Sequence, residues 1–211
     1  MSSKESLRGL YVISDDLLTP RESLFQSIEK ALIGGAKIVQ LRDKITPLSS
    51  LQSTIFQLQE LCHRYNALFV LNDKVELAIT LKTTGLHIGK SDHHRFEDIR
   101  QKFKGILGVS CYGDLQLAKK MEAMGADYVA FGSFFHSPTK PNSNIIDLEI
   151  LDQAKKQLSI PICAIGGINT QNVGEVMEHQ PDMVAVISDI WSNDIKQQSK
   201  IYSNLYQGES K

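Results

Sequence analysis

The segment Gln40-Leu41-Arg42-Asp43-Lys44 places an amide and two cations at alternate positions, with apolar Val39 and Leu41 between them. Residues two apart on an extended strand share a face, so Gln40, Arg42 and Lys44 point one way and Val39 and Leu41 the other. Two cations and an amide on an inward face are costly to leave unpaired. A multiply charged anion such as pyrophosphate would satisfy all three. The competing reading, an Arg/Lys pair in surface ion pairs, contributes little. Asp73 and Asp92 follow two apolar runs that would lie side by side as strands, about 4.8 Å apart. They can converge on one cation, and two carboxylates plus phosphate oxygens suit Mg2+. Each aspartate alone is also an ordinary helix N-cap.

Other polar groups recur at the ends of apolar runs: Asn72, Ser110, the stretch Gly132 to Lys140, Gly166-Gly167 and Ile187-Ser188. Turns need such residues, so each alone says little, whereas their repetition at one end of successive strands marks a common rim. Ser137, Thr139 and Lys140 combine hydroxyls with a lysine, which suits a phosphate chain. The GxxxxGK[ST] pattern is absent, and a mobile surface loop is the alternative. The two glycines let backbone N–H groups approach a phosphate, and a following helix N-terminus favours an anion. A tight turn is the plainer use of the same pair.

These residues must be positioned by a regular scaffold. Strands are expected at Gly9–Ser14, Ala36–Arg42, Ala67–Asn72, Gly85–Ile88, Ile106–Ser110, Tyr128–Gly132, Pro161–Ile165 and Met183–Ile187. Helical patterns fall at about 21–34, 48–65, 74–81, 94–103, 114–124, 147–157, 170–178 and 194–207. Thr19-Pro20-Arg21-Glu22 and Thr46-Pro47 read as cap-then-proline starts. Gly34-Gly35 and Gly125 stand where helices should end. Leu48, Leu51, Ile55, Leu58 and Leu61 make one apolar stripe. Runs such as Ala67-Leu-Phe-Val-Leu71 suit parallel strands covered by helices. Eight βα units in 211 residues give about 26 per unit, near the lower limit of a single (β/α)8 TIM barrel. The rival doubly wound sheet would carry a glycine-rich loop after its first strand, where this chain has Ser14-Asp15-Asp16-Leu17. Gly35-Ala36-Lys37-Ile38-Val39 is echoed by Gly125-Ala126-Asp127-Tyr128-Val129, a weak hint of half-barrel repetition. One domain is expected over residues 1–211, with frayed ends at 1–8 and 208–211.

Several functions are excluded. Lys+Arg is 23 and Asp+Glu is 24, a net charge of −1, so no global field draws nucleic acid or an anionic membrane. No aromatic-plus-basic stripe suggests nucleic acid. No run approaches the roughly 18 apolar residues of a membrane span, and residues 1–8 lack a secretory h-region, so a cytoplasmic protein is expected. Cys62, Cys111 and Cys163 are few and scattered, reading as small hydrophobes rather than a disulfide framework or zinc site. The histidines show no HExxH spacing, and no GxSxG occurs. His87 reads as a core or rim histidine. The sequence leaves homo-oligomerisation open.

In order, Gln40-Leu-Arg-Asp-Lys44, Leu71-Asn72-Asp73, Gly85-Leu-His-Ile-Gly89 leading to Asp92, Gly108-Val-Ser110, Gly125-Ala-Asp127, Ser137-Pro-Thr-Lys140, Ala164-Ile-Gly-Gly-Ile168 and Val186-Ile-Ser188 resemble the thiamine phosphate synthase family over about residues 9–190. The resemblance implies a transferase that joins hydroxymethylpyrimidine pyrophosphate to thiazole phosphate and releases pyrophosphate. It further implies pyrophosphate and pyrimidine contacts at Gln40, Arg42, Lys44, Asn72, Ser110 and Lys140, and Mg2+ at Asp73 and Asp92. Ser137, Thr139, Gly167, Ile187 and Ser188 would hold the thiazole phosphate. The implied mechanism is dissociative and needs charge stabilisation and water exclusion more than a general base. Ser137 stands where the family has threonine, Lys74 where arginine is common, Lys90 where glutamine or glutamate is frequent, and Asp189 where a small residue is usual.

Three rivals remain. A thiazole tautomerase relative would share the fold and the thiazole phosphate site, but would have no use for Arg42, Lys44, Asp73 and Asp92 together. A phosphosugar isomerase or decarboxylase would want an acid/base pair, for which Asp15 and Asp43 are available. A non-catalytic phosphate sensor has no reason to keep two metal-binding carboxylates.

Overall fold

A computed structural model describes residues 7–137 and 143–207. Eight apolar runs form β1 (Gly9–Ile13), β2 (Ile38–Leu41), β3 (Leu68–Asn72), β4 (Gly85–Ile88), β5 (Ile106–Tyr112), β6 (Tyr128–Phe131), β7 (Ile162–Ile165) and β8 (Met183–Val186). Each pairs in parallel with the next, and β8 returns to β1, so the sheet closes into the expected (β/α)8 barrel. The helices are α1 (Leu24–Ile33), α2 (Leu48–Arg64), α3 (Val75–Leu81), α4 (Phe96–Lys102), α5 (Leu115–Ala123), α6 (Glu149–Gln157), α7 (Val173–Glu178), α8 (Ser188–Trp191) and α9 (Ile195–Leu205).

Strand alternation divides the apolar residues between two cores. Leu10, Val12, Val39 and Leu41 face the helices and join Ile28, Ile55 and Leu58 in the outer core. Tyr11, Ile13, Ile38, Val70, Tyr128 and Met183 fill the barrel interior. A parallel strand buried on both faces has no side for a charge until the chain leaves the sheet. The polar residues therefore gather at the rim. Leu7, within the stretch expected to fray, is 1% exposed and packs into the interior cluster.

The local starts differ from the sequence expectation. α1 begins at Leu24 after Ser23. Thr19 does not cap it: its hydroxyl donates to the Asp15 carbonyl at 2.8 Å and accepts from the Asp15 N–H at 2.9 Å, closing the β1–α1 loop on itself. Pro47 is the N-cap of α2, with ψ 140°, one position ahead of the expected proline at N1. Leu48 is 54% exposed and leaves the stripe, whereas Leu51, Ile55, Leu58 and Leu61 are buried. Lys90–Arg95 forms a 3₁₀ helix, and α8 is a separate single turn; neither was expected. The pentapeptide echo has a local explanation. Gly35 and Gly125 adopt φ 102° and 96°, and in each case the next residue's N–H reaches back to a carbonyl of the preceding helix, Ala31 or Met121. Both are the same helix-to-strand turn, which needs a residue free of a Cβ penalty.

Candidate active site

The rim at the C-terminal ends of the strands is where chemistry sits in such barrels. Gln40 is 3% exposed inside the barrel, and its Nε2 donates to the Tyr11 hydroxyl at 2.6 Å. β2 stops at Leu41, so Arg42 and Lys44 belong to the following loop and the expected period-two face does not extend to them. The cause is Asp43, whose carboxylate accepts from the Ile45 and Thr46 N–H groups at 3.1 and 2.8 Å and turns the chain. Arg42 is half-buried, with its N–H donating to Ser14 Oγ and its guanidinium 3.7 Å from Asp15 Oδ2. Lys44 is exposed, and its backbone N–H donates to Asp16 Oδ1 at 3.2 Å.

Asn72 ends β3 in register with His87 of β4. Asp73 follows at φ 58°, a left-handed conformation that aspartate tolerates better than most residues. Its N–H donates to the His87 carbonyl at 2.9 Å. Asp73 is not a helix cap: Lys74 occupies that position. A Cβ at Gly89 would lie 3.8 Å from Asp73 Oδ1 and 3.8 Å from the Tyr112 hydroxyl, so the carboxylate sits beside the end of β4. The Asp92 N–H donates to the Gly89 carbonyl at 3.1 Å. Asp73 and Asp92 thus each contact Gly89, one through its carboxylate and the other through its backbone N–H. Asp92 is half-buried, accepts from Ser91 Oγ at 2.9 Å and lies 4.0 Å from Arg95 Nε. Beside it, burial holds the His93 imidazole pKa below its usual value, and His93 Nε2 is enclosed without a hydrogen-bond partner among the described residues.

Ser110 lies on β5 just before a bulge between Ser110 and Tyr112, and its hydroxyl is 2.9 Å from His87 Nε2. His87 is 8% exposed, an interior histidine as expected. Beyond β6, Ser137 is half-buried, while Thr139 and Lys140 lie outside the described residues. Gly166 and Gly167, at φ 106° and 66°, lie where a side chain would collide with Ser133 and with the Phe135 and His136 carbonyls. The pair therefore seats the β6 loop on the β7 loop, bringing Gly167 beside the chain that leads into Ser137. Ile187 and Ser188 open α8. Asp189 turns towards α9: its Oδ2 accepts from the Thr170 N–H, Gln198 Nε2 and the Tyr202 hydroxyl.

Nothing in the chain's motifs singles out Tyr11 and Tyr128. Their hydroxyls are 2.8 Å apart, and Tyr128 is 2.9 Å from His87 Nδ1. Inward alternation on β1 and β6 was the available signal, but it reads equally as packing. The thiols offer no nucleophile, since burial pushes Cys62 and Cys111 up to about 12. Asp15 and Asp43 do not form an acid/base pair: each carboxylate caps N–H groups of its own loop.

A closed eight-stranded parallel barrel whose polar residues gather at the C-terminal rim has the architecture of a TIM-barrel enzyme. The particular family follows from comparison. The family model described as thiamine monophosphate synthase matches residues 10–190. The thiamine-phosphate synthase of Thermoplasma acidophilum is 42% identical over 187 residues, covering 89% of this chain and 86% of its own length. That of Wolinella succinogenes is 43% identical, covering 95% and 94%. The solved thiamine phosphate pyrophosphorylase from Pyrococcus furiosus superposes with a TM-score of 0.86 at 32% identity, covering 96% of this chain and 97% of that one. The chain belongs to the thiamine monophosphate synthase family, as its motifs led us to expect. Among the described residues, no helix is long and apolar enough to cross a membrane.

Proposed function

We propose that the chain joins a pyrimidine pyrophosphate to a thiazole phosphate at this rim, giving thiamine phosphate and pyrophosphate. The observation that carries the reading is Asp73, held in a left-handed backbone with its carboxylate beside Gly89, the residue whose carbonyl the Asp92 N–H also meets. Hard carboxylate oxygens suit Mg2+, which prefers oxygen ligands and keeps waters. Among the described residues, no group of three or more His, Cys, Asp or Glu side chains could hold a metal. Two carboxylates would leave the remaining positions to waters and to phosphate oxygens of the substrate. When bound, Mg2+ would neutralise charge on the departing diphosphate.

The chain's own groups do the rest. Arg42 and Lys44, with Asn72, Ser110 and Lys140, bind the pyrophosphate, and Gln40 orients the pyrimidine end. Arg42 exchanges its 3.7 Å contact with Asp15 for the incoming anion. The pyrimidine CH2–O bond breaks with its electron pair leaving on pyrophosphate. The thiazole nitrogen then supplies the pair for the new C–N bond to the pyrimidine-methyl cation. Ser137 and Thr139, with backbone at Gly167, Ile187 and Ser188, hold the thiazole phosphate. The tight seat of the β6 loop on Gly166 and Gly167 helps exclude water, which would otherwise capture the cation.

Incubating the purified chain with both substrates and Mg2+ should give thiamine phosphate and pyrophosphate in equal amounts. Chelation should stop the reaction, and pyrophosphate should raise the melting temperature only with Mg2+ present. Absence of product under these conditions would overturn the assignment.

A further inference from the structure

Beneath the rim, a line of hydrogen bonds crosses the barrel interior. Gln40 Nε2 meets the Tyr11 hydroxyl at 2.6 Å, Tyr11 meets Tyr128 at 2.8 Å, Tyr128 meets His87 Nδ1 at 2.9 Å, and His87 Nε2 meets Ser110 Oγ at 2.9 Å. The four inner members are between 0% and 8% exposed. The fold makes room for the line: Gly108, in register with both His87 and Tyr128, lies where any Cβ would overlap the Tyr128 ring. Burial pushes both tyrosine pKa values upward, so the hydroxyls keep their protons.

A hydroxyl has one proton and a neutral imidazole has one N–H, so a line of such groups has a direction. An amide nitrogen can only donate. Tyr11 therefore accepts from Gln40, and its buried proton has no acceptor other than Tyr128 among the described residues, so it donates to Tyr128, which in turn donates to His87 Nδ1. The imidazole then carries its proton on Nε2 and donates to Ser110 Oγ. Ser110 cannot return a proton downwards, so its own O–H is left to donate upwards into the mouth. We infer that Gln40, Tyr11, Tyr128 and His87 form a one-directional chain that fixes His87 as the Nε2–H tautomer and makes Ser110 an obligate donor to an anionic oxygen. Tyr11, Tyr128 and His87 are positioning residues acting through Ser110, and the inference rests on the proposed role of Ser110 against pyrophosphate. The reverse direction would leave Ser110 presenting lone pairs to that anion.

The tautomer is read directly in the unmodified protein by long-range 1H–15N correlation of the histidine rings near neutral pH. The His87 signals are identified by their loss in His87→Gln. We expect a protonated Nε2 and an unprotonated Nδ1, and a proton on Nδ1 would overturn the chain. Tyr128→Phe removes the donor to Nδ1 and should release the fixed tautomer. It should lower kcat about tenfold, the scale of one hydrogen bond to a charged group, with KM for thiazole phosphate little changed. Once Ser110→Ala has removed the terminal donor, adding Tyr128→Phe should cost nothing more. Equal losses in both backgrounds would overturn the coupling. His87→Gln can place an amide N–H near the old Nε2 and should recover rate lost in His87→Leu; no recovery counts against the chain. An inactive wild type with the Nε2–H tautomer would overturn the assigned reaction and leave the chain standing. An active wild type with Nδ1–H would overturn the chain alone.

Discussion

The two halves of the barrel mouth are made of different material. From β2 to β5 the rim presents side chains: Asn72 and Ser110 stand on the strands themselves, and Arg42, Asp73 and Asp92 follow close behind strand ends on backbone tied to neighbouring residues. From β6 to β8 the described rim is mostly backbone fitted to backbone, with Gly166 and Gly167 under the Ser133–His136 segment and Asp189 tying Thr170 to α9. A charge on a secure loop can be removed while the fold stays intact. A glycine at φ 66° against two carbonyls cannot be replaced without moving a loop. The first half should therefore fail in chemistry, the second in structure and binding.

Asp73→Asn should produce the largest effect. Asparagine also tolerates the left-handed backbone, so the melting temperature should hold. Activity should fall about 100- to 1000-fold, the scale of losing one preorganised electrostatic partner, with weaker dependence on Mg2+. Steady-state rates against Mg2+ concentration, with a thermal melt beside them, test both parts. A large fall in stability would erase the distinction between the halves.

Gly167→Ala should behave in the opposite manner. The added Cβ meets the Phe135 and His136 carbonyls, and alanine is strained at this φ. A loss of about 2–4 kcal/mol is expected from denaturant midpoints, with activity lost through the displaced β6 loop. Unchanged stability would show that this half is as loosely held as a surface turn. Asp189→Ala should be milder. It strips an acceptor from three donors and loosens α8 against the β7 loop. KM for thiazole phosphate should rise about tenfold, or ~1.4 kcal/mol, with little change in kcat. A change confined to kcat would place Asp189 in the chemistry instead.

The contrast between the halves also explains what the sequence revealed. Eight strands were legible because both faces of each are buried, which leaves continuous apolar runs such as Leu68–Leu71. The side-chain half was legible as well, since Asn72-Asp73 and Ser110 interrupt those runs at their ends. The loops were less so. Thr19-Pro20 looks like a helix start, but Thr19 bonds to Asp15 and the helix waits for Leu24. A bond to a residue four positions earlier in the loop competes with the capping role. Leu48 fits the stripe of α2 by spacing, yet stands at the helix's exposed end. The Tyr11–Tyr128–His87 line was invisible because three distant strands contribute one polar tip each, and each residue alone reads as core.

Asp43 sharpens the comparison from the other side, because it is an acidic residue in the side-chain half that does structural work. Its Oδ1 accepts from the Ile45 and Thr46 N–H groups, and this turn carries Arg42 and Lys44 off the end of β2. An amide oxygen caps those N–H groups nearly as well as a carboxylate. Asp43→Asn should therefore stay within about 0.5 kcal/mol of the parent in stability and keep most of its rate. Asp43→Ala, which removes the cap, should cost about 1 kcal/mol and weaken binding of the pyrophosphate substrate as the turn loosens. An acid or base of the reaction would instead lose about 100- to 10,000-fold on conversion to the amide. Comparing the two variants in one assay separates the roles, since a cap fails with alanine and survives asparagine, whereas a proton-transfer group fails with both.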